Sequence, residues 1–254
     1  MVFVPRTEAD YDVALNYRIL FEDEWMLAVE KPAPLPVHPG GRFLTKNLLS
    51  LLKQDRAGYL SIINRLDSET SGVVLAAKTS AMAGELGKLF EFRRVQKDYE
   101  AVLLGAPPES AGCLTFPLGF RQVERFRLRC EDPAGESAST AYETRQTWKD
   151  GQQTYTRVRV RPETGRMHQI RAHFALAGCP VAGDKIYIDP AVYTRYIEQG
   201  WQEDMLAVTR ARRLLLHAAR LVFIHPMTGV ELSVVSEVPG EFSEESQGQK
   251  VTKS

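Results

Sequence analysis

Tyr155-Thr156-Arg157-Val158-Arg159-Val160-Arg161 alternates at period two over seven residues, a pattern a strand satisfies and a helix does not. Phe126-Arg127-Leu128-Arg129-Cys130 and Thr140-Ala141-Tyr142-Glu143 repeat it. The middle of the chain, roughly 113 to 161, therefore predicts antiparallel strands with one buried face and one basic face. Helical spacing is interleaved with these runs. Thr45 can cap a helix carrying Leu48, Leu49 and Leu52, and Ser80 starts another with Met82, Leu86, Leu89 and Phe90 on one face. Residues 166 to 177 predict a third helix, closed by Gly178 and Pro180, with Ile170, Phe174 and Ala177 toward the core. His168 and Arg171 fall three apart on a different face of it. Two short helices are expected as an insertion within 190 to 212, and a hairpin joins Ala219–Ile224 to Val230–Val235 across Pro226-Met227-Thr228-Gly229. Strands in hairpin order with interspersed helices argue an α+β fold, a mostly antiparallel mixed β-sheet flanked by helices and loops.

No repeat, low-complexity tract or long Gly/Ser linker divides the 254 residues, so a single domain over 18–238 is expected. It would follow an N-terminal extension of residues 1–17 and precede a polar, disordered tail over 239–254. No apolar run approaches the roughly 18 residues of a membrane helix, and the acidic start MVFVPRTEADYD has no signal-peptide plan. A cytoplasmic monomer, away from any membrane, is the expectation. Cys113, Cys130 and Cys179 are odd in number and widely spaced, so neither a disulfide framework nor a thiolate zinc site is suggested. His168 and His173 are five apart, the wrong spacing for two metal ligands on one helix face, and Gly40-Gly41 lacks the Lys-Ser/Thr sequel of a phosphate loop. No metal and no cofactor is expected.

The 32 basic and 32 acidic residues cancel, which argues against a uniformly basic nucleic-acid binder. Distribution matters more than the sum. Acids collect near both ends, whereas Arg93, Arg94 and Lys97, then Arg121, Arg125, Arg127 and Arg129, then Arg157, Arg159, Arg161, Arg166 and Arg171 cluster between them, enough for one basic face.

One segment carries chemistry. Ile63-Asn64-Arg65-Leu66-Asp67-Ser68-Glu69-Thr70-Ser71-Gly72 sets an acid beside turn residues, between the apolar runs Tyr59–Ile63 and Gly72–Ala77, which read as short buried strands. The end of a strand is where a rigid scaffold presents catalytic groups. INRLDSETSGVVLAAK resembles the HRLD-x-x-TSG motif of the RluA-type pseudouridine synthases, and the likeness runs on in order along the chain. It takes in Asp23-Glu24-Trp25, Glu30-Lys31-Pro32, Lys97-Asp98-Tyr99-Glu100-Ala101, Gly165-Arg166-Met167-His168-Gln169-Ile170-Arg171, Gly183-Asp184, Leu216-His217-Ala218 and His225-Pro226-Met227-Thr228-Gly229. These blocks cover most of residues 18 to 235. The family usually has His where this chain has Asn64, which hydrogen-bonds but cannot become a cation.

The resemblance implies a pseudouridine-synthase-like catalytic domain that isomerises uridine in structured RNA, a stem-loop of ribosomal or transfer RNA. The reaction breaks the bond from ring nitrogen to sugar, turns the base and rejoins it through a ring carbon. No atom is gained or lost, so a nucleophile or base beside the sugar suffices. Asp67 is implied for that role, Tyr99 for stacking on the uracil or moving a proton at the ring carbon, and Arg171 for the cation paired with the acid, with Arg166 as its rival. The base must leave its stack, at a cost of a few kcal/mol, and Arg65 can fill the vacated space if alternation sets it on the same side as Asp67. Asn64, Arg166 and His168 complete the expected substrate-binding set. Two other classes compete: a noncatalytic RNA-binding or assembly protein that keeps the fold, supported by Asn64 alone, and an unrelated hydrolase pairing Asp67 with a histidine, for which no pair is placed.

Overall fold

The computed structural model describes residues 13–41, 43–123 and 126–244. In chain order its elements are β1 (Arg18–Glu22), β2 (Met26–Lys31), α1 (Leu48–Asp55), β3 (Ser61–Ile62), β4 (Ser71–Ala77), α2 (Ser80–Glu91), β5 (Gln96–Leu104), β6 (Ala111–Leu114), β7 (Leu118–Val123), β8 (Phe126–Glu131), β9 (Thr140–Asp150), β10 (Gln153–Pro162), α3 (Gln169–Leu176), α4 (Pro190–Gln199), α5 (Leu206–Thr209), β11 (Leu216–Ile224) and β12 (Glu231–Val235). The chain packs as two compact units, the described parts of Met1–Lys97 with Ala218–Glu237, and of Asp98–His217 with Val238–Ser254. Both are sheets with helices, the α+β class expected.

The first unit is organised by β4. Residues Ser71–Ala77 are buried without exception, because β4 is flanked by β2 along its length, with β3 at its Ala76–Ala77 end and β11 beside it. Alternation then feeds two cores. Val73, Leu75 and Ala77 pack with Met82 and Leu86 of α2, while Val74 and Ala76 pack with Leu35, Val37 and with Leu48 and Leu52 of α1. A strand covered on both faces reads as a continuous apolar run, and each of its valines and its leucine contributes about 1.5–3 kcal/mol on burial. Gly72 is dictated by the same packing: its φ is +117°, and a Cβ there would stand 2.2 Å from the Ala218 carbonyl oxygen.

Caps set the helix starts. Thr79 accepts the Met82 N–H at 3.1 Å, so α2 begins at Ser80 as the spacing predicts. The cap of α1 is Asn47 rather than Thr45: the buried Asn47 side chain accepts from the Ser50 N–H at 2.9 Å and donates to the Leu44 carbonyl at 3.2 Å.

In the second unit the order is β5-β10-β9-β6, each pair antiparallel, and β7 with β8 forms a separate two-stranded ribbon. Ala101, Leu103, Val158 and Val160 pack on Ile170 and Phe174 of α3. The alternation of β10 is as read, but its basic face is not open. Arg157 pairs with Glu100 at 3.0 Å, and Arg159 and Arg161 reach Asp98 at 2.7 and 2.6 Å, because the antiparallel neighbour β5 carries acids on that side. Helix α3 starts at Gln169, three residues later than expected. The Gln169 side chain accepts from Thr164 Oγ1 (2.6 Å) and the Arg166 N–H (3.0 Å) and donates to the Ser139 carbonyl (2.9 Å) and Thr140 Oγ1 (2.8 Å), holding the preceding residues in a loop. The expected disordered tail also begins too early at 239. Gly240–Phe242 form a 3₁₀ turn, and Phe242 is fully buried against Val102, Trp148 and Leu215. The expectations for residues 1–12, Arg125 and 245–254 lie outside the described residues.

Candidate active site

Asp67 stands on the connection between β3 and β4, and three anchors fix that connection. The Asp67 carbonyl accepts the Thr70 N–H at 3.0 Å, closing a turn. The Ser68 carbonyl accepts the Leu35 N–H at 2.9 Å and Lys31 Nζ at 3.0 Å. Lys31, 0% exposed at the end of β2, also donates to the carbonyls of Pro32 (2.9 Å) and Leu35 (2.7 Å), so three carbonyls receive its three N–H groups. A buried ammonium thereby locks the Pro32–Leu35 segment to the turn that carries the acid. Asp67 itself is half-buried.

Asn64 is the third anchor. The last backbone bond to β4 runs from the Ile63 N–H to the Leu75 carbonyl at 2.8 Å, and the Asn64 amide then takes over the pairing: Oδ1 accepts the Leu75 N–H at 2.8 Å and Nδ2 donates to the Val73 carbonyl at 3.1 Å. An amide can present its donor and acceptor side by side as a peptide group does, whereas the two nitrogens of an imidazole point apart. Because β3 ends at Ile62, Arg65 and Asp67 lie outside the strand and alternation does not set them on one side. Arg65 is exposed beside His38, whose imidazole is held below its ordinary pKa by burial and by the Arg65 charge.

The second unit holds the other expected residues. Tyr99, half-buried on β5 opposite Val160, packs at the edge of the cluster that includes Ile170 and Phe174 of α3. Arg171 is buried on that helix and forms a two-pronged ion pair with Asp184, Nε to Oδ2 at 2.7 Å and Nη2 to Oδ1 at 2.8 Å. Asp184 Oδ1 also accepts the N–H groups of Ile186 (2.9 Å) and Tyr187 (3.0 Å). Burial pushes the Asp184 carboxyl up, but Arg171 and these two N–H groups outweigh it and hold the pKa below the usual carboxylate range. His168 lies outside the helix, as the residue capping α3, in the left-handed region with φ 54°. Arg166 pairs with Glu136 at 2.9 Å and donates to the Ser137 carbonyl at 3.3 Å.

The β7–β8 ribbon retains basic and aromatic surface. Arg121 and Arg127 are exposed, and Phe120 lies between the guanidinium groups of Arg127 and Arg129, at 4.3 and 3.8 Å from its centroid. Reasoning from sequence missed Lys31, His38 and Asp184 as contributors; Lys31 and Asp184 fall in quoted motif blocks, but no spacing rule assigns them a task.

These features can be set beside known proteins. A family model described as RNA pseudouridylate synthase matches residues 26–176. "Ribosomal large subunit pseudouridine synthase D" of Vibrio cholerae is 34% identical over 242 residues, covering 92% of this chain and 70% of that protein. The protein of the same name from Pseudomonas aeruginosa is 33% identical over 240 residues, covering 90% and 70%. Among solved structures, human RNA pseudouridylate synthase domain containing 1 superimposes with a TM-score of 0.73 at 25% identity, covering 93% of this chain and 89% of that one. Human RNA pseudouridylate synthase domain containing 4 gives 0.66 at 28% identity, with 89% and 90% covered. The α+β scaffold is thus one used by enzymes that act on uridine within RNA. The chain belongs to the RNA pseudouridylate synthase family, in the RluA-type branch whose motifs it carries, and is an RNA-modifying isomerase.

Proposed function

We propose that residues 18–238 act as a catalytic domain that converts particular uridines of structured RNA to pseudouridine, with Asp67 as the nucleophile or base at the sugar. The observation that carries the reading is the family's acid standing on a turn tied down by Lys31, Asn64 and the Leu35 backbone. Such anchoring is what a group needing a fixed position requires. Tyr99 is assigned to the uracil ring and Arg171 to the cation that the resemblance pairs with the acid. Its pairing with Asp184 gives that guanidinium a fixed plane. Arg65, exposed on the same connection as Asp67, is suited to fill the space left by the displaced base.

The RNA surface is assigned to the β7–β8 ribbon, where exposed Arg121 and Arg127 suit phosphates and the Phe120 ring, held between Arg127 and Arg129, orients the basic side chains. Arg157, Arg159 and Arg161 are given no such task, since all three are already ion-paired, Arg157 with Glu100 and both Arg159 and Arg161 with Asp98. Large-subunit ribosomal RNA is the first substrate to test, from the names of the relatives, and a cytoplasmic location goes with it. The Asn64 amide serves β4, which leaves a noncatalytic reading without its one supporting residue. The test is a pseudouridine map of total RNA from cells lacking the protein, complemented with wild type or Asp67→Ala. Sites restored by wild type alone support the reading; sites that never change, or that Asp67→Ala restores equally, reject it.

A further inference from the structure

Tyr187 links three parts of the second unit that the proposed function uses separately. Its backbone N–H donates to Asp184 at 3.0 Å, and its ring lies 5.3 Å from the Arg171 guanidinium carbon. Its hydroxyl accepts the backbone N–H of Arg129, on β8, at 3.0 Å, and stands 3.5 Å from Nδ1 of His168, the left-handed residue ahead of α3. The ring also packs with Leu118 of β7, Ala138 and Ala172. Among the described residues the β7–β8 ribbon has two strands, so an outward N–H such as that of Arg129 needs a partner other than a third strand. Tyr187 supplies it. On the ribbon side Arg129 donates to the Leu118 carbonyl at 3.1 Å and to Glu136 at 2.6 Å, and holds the Phe120 ring. One side chain thus joins the ribbon to the Arg171–Asp184 pair.

We propose that Tyr187 is a positioning residue for RNA recognition: its hydroxyl sets the ribbon's orientation, and its ring and N–H hold Arg171 and Asp184, so that RNA seated on the ribbon is registered against the catalytic arginine. The inference rests on the assignments of the ribbon and Arg171 above. It divides the residue into two separable functions. Tyr187→Phe removes the hydroxyl and keeps the ring and the Asp184 bond; Tyr187→Leu removes the ring as well.

The experiment is steady-state pseudouridine formation on a large-subunit ribosomal RNA transcript, with thermal unfolding of each variant alongside. Tyr187→Phe is expected to raise KM about five- to tenfold, the loss of one net hydrogen bond, with kcat within about twofold of wild type. Tyr187→Leu is expected to lower kcat as well. In a Phe120→Ala background the effect of Tyr187→Phe on KM is expected to shrink, because the ring that orients Arg127 and Arg129 on the ribbon is already gone. Unchanged KM in Tyr187→Phe, a fall in kcat alone, or full additivity with Phe120→Ala overturns the proposal. A lower melting temperature with both kinetic constants intact also overturns it, since that is the signature of a purely structural tyrosine. An inactive wild type on RNA that it nonetheless binds would instead reject the synthase assignment on which the proposal stands.

Discussion

Replacing Lys31 by Met keeps an unbranched side chain of similar length and removes the ammonium. The structure sets the magnitude. Three hydrogen bonds from a charged donor, to Pro32, Leu35 and Ser68, are worth about 1.5–3 kcal/mol each, roughly 4.5–9 together. Burying the charge costs several kcal/mol in return, and that cost disappears with the charge. The net loss is expected at about 2–4 kcal/mol, measured by urea unfolding at pH 7. A second consequence separates this residue from an ordinary core side chain. Because one of the three carbonyls belongs to Ser68, next to Asp67, pseudouridine formation per folded molecule is expected to fall as well. A variant within about 0.5 kcal/mol of wild type, with full activity per folded molecule, would refute the view that the ammonium organises the turn.

Asn64→Ala breaks the two bonds to β4 and is expected to cost about 2 kcal/mol in chemical unfolding, with Asn64→Asp less well tolerated than isosteric logic suggests because its carboxylate cannot donate to the Val73 carbonyl. Asp184→Asn leaves the Arg171 charge facing a neutral amide and is expected to cost about 3–5 kcal/mol by the same assay, with a fall in kcat. His173 is fully buried and held neutral below its ordinary pKa by burial, with Nε2 2.9 Å from the Phe116 carbonyl. Its folded pKa lies below its unfolded value, so the stability it permits is present above about pH 6.5 and is lost as pH falls. His173→Phe is therefore expected to flatten the stability profile below about pH 6.5 in urea titrations; an unchanged slope would contradict the assignment.

Much of this was legible in the sequence where the signal is local. The β4 run is apolar throughout because both its faces are covered, and the alternation of β10 survives in its buried valines and outward arginines. Other features depend on partners far away in sequence. Whether Arg157, Arg159 and Arg161 form an open basic face depends on which strand lies beside β10, and the answer, β5 with its Asp98 and Glu100, is a matter of long-range register. The cap of α1 was misplaced by two residues because Thr45 and Asn47 are both plausible caps, and only the Asn47 amide satisfies Ser50 and Leu44 together. The late start of α3 has the same kind of cause: a glutamine side chain with four partners outside its helix looks, in sequence, like any helical glutamine. Lys31 was invisible as an anchor, since a lysine before a proline reads as the exposed end of a strand until the carbonyls around it are seen. Asp67 was identified through the resemblance, and its turn through Ser68 to Gly72, but what holds that turn was not.

The role of Asp67 is tested most directly by single-turnover pseudouridine formation by the purified protein on a large-subunit ribosomal RNA transcript, comparing wild type with Asp67→Asn and Asp67→Ala at matched RNA occupancy. Both variants are expected to fold and bind the transcript as wild type does and to form no pseudouridine. Product formation by either variant at the wild-type rate would contradict the assignment of Asp67 as the group that acts on the sugar.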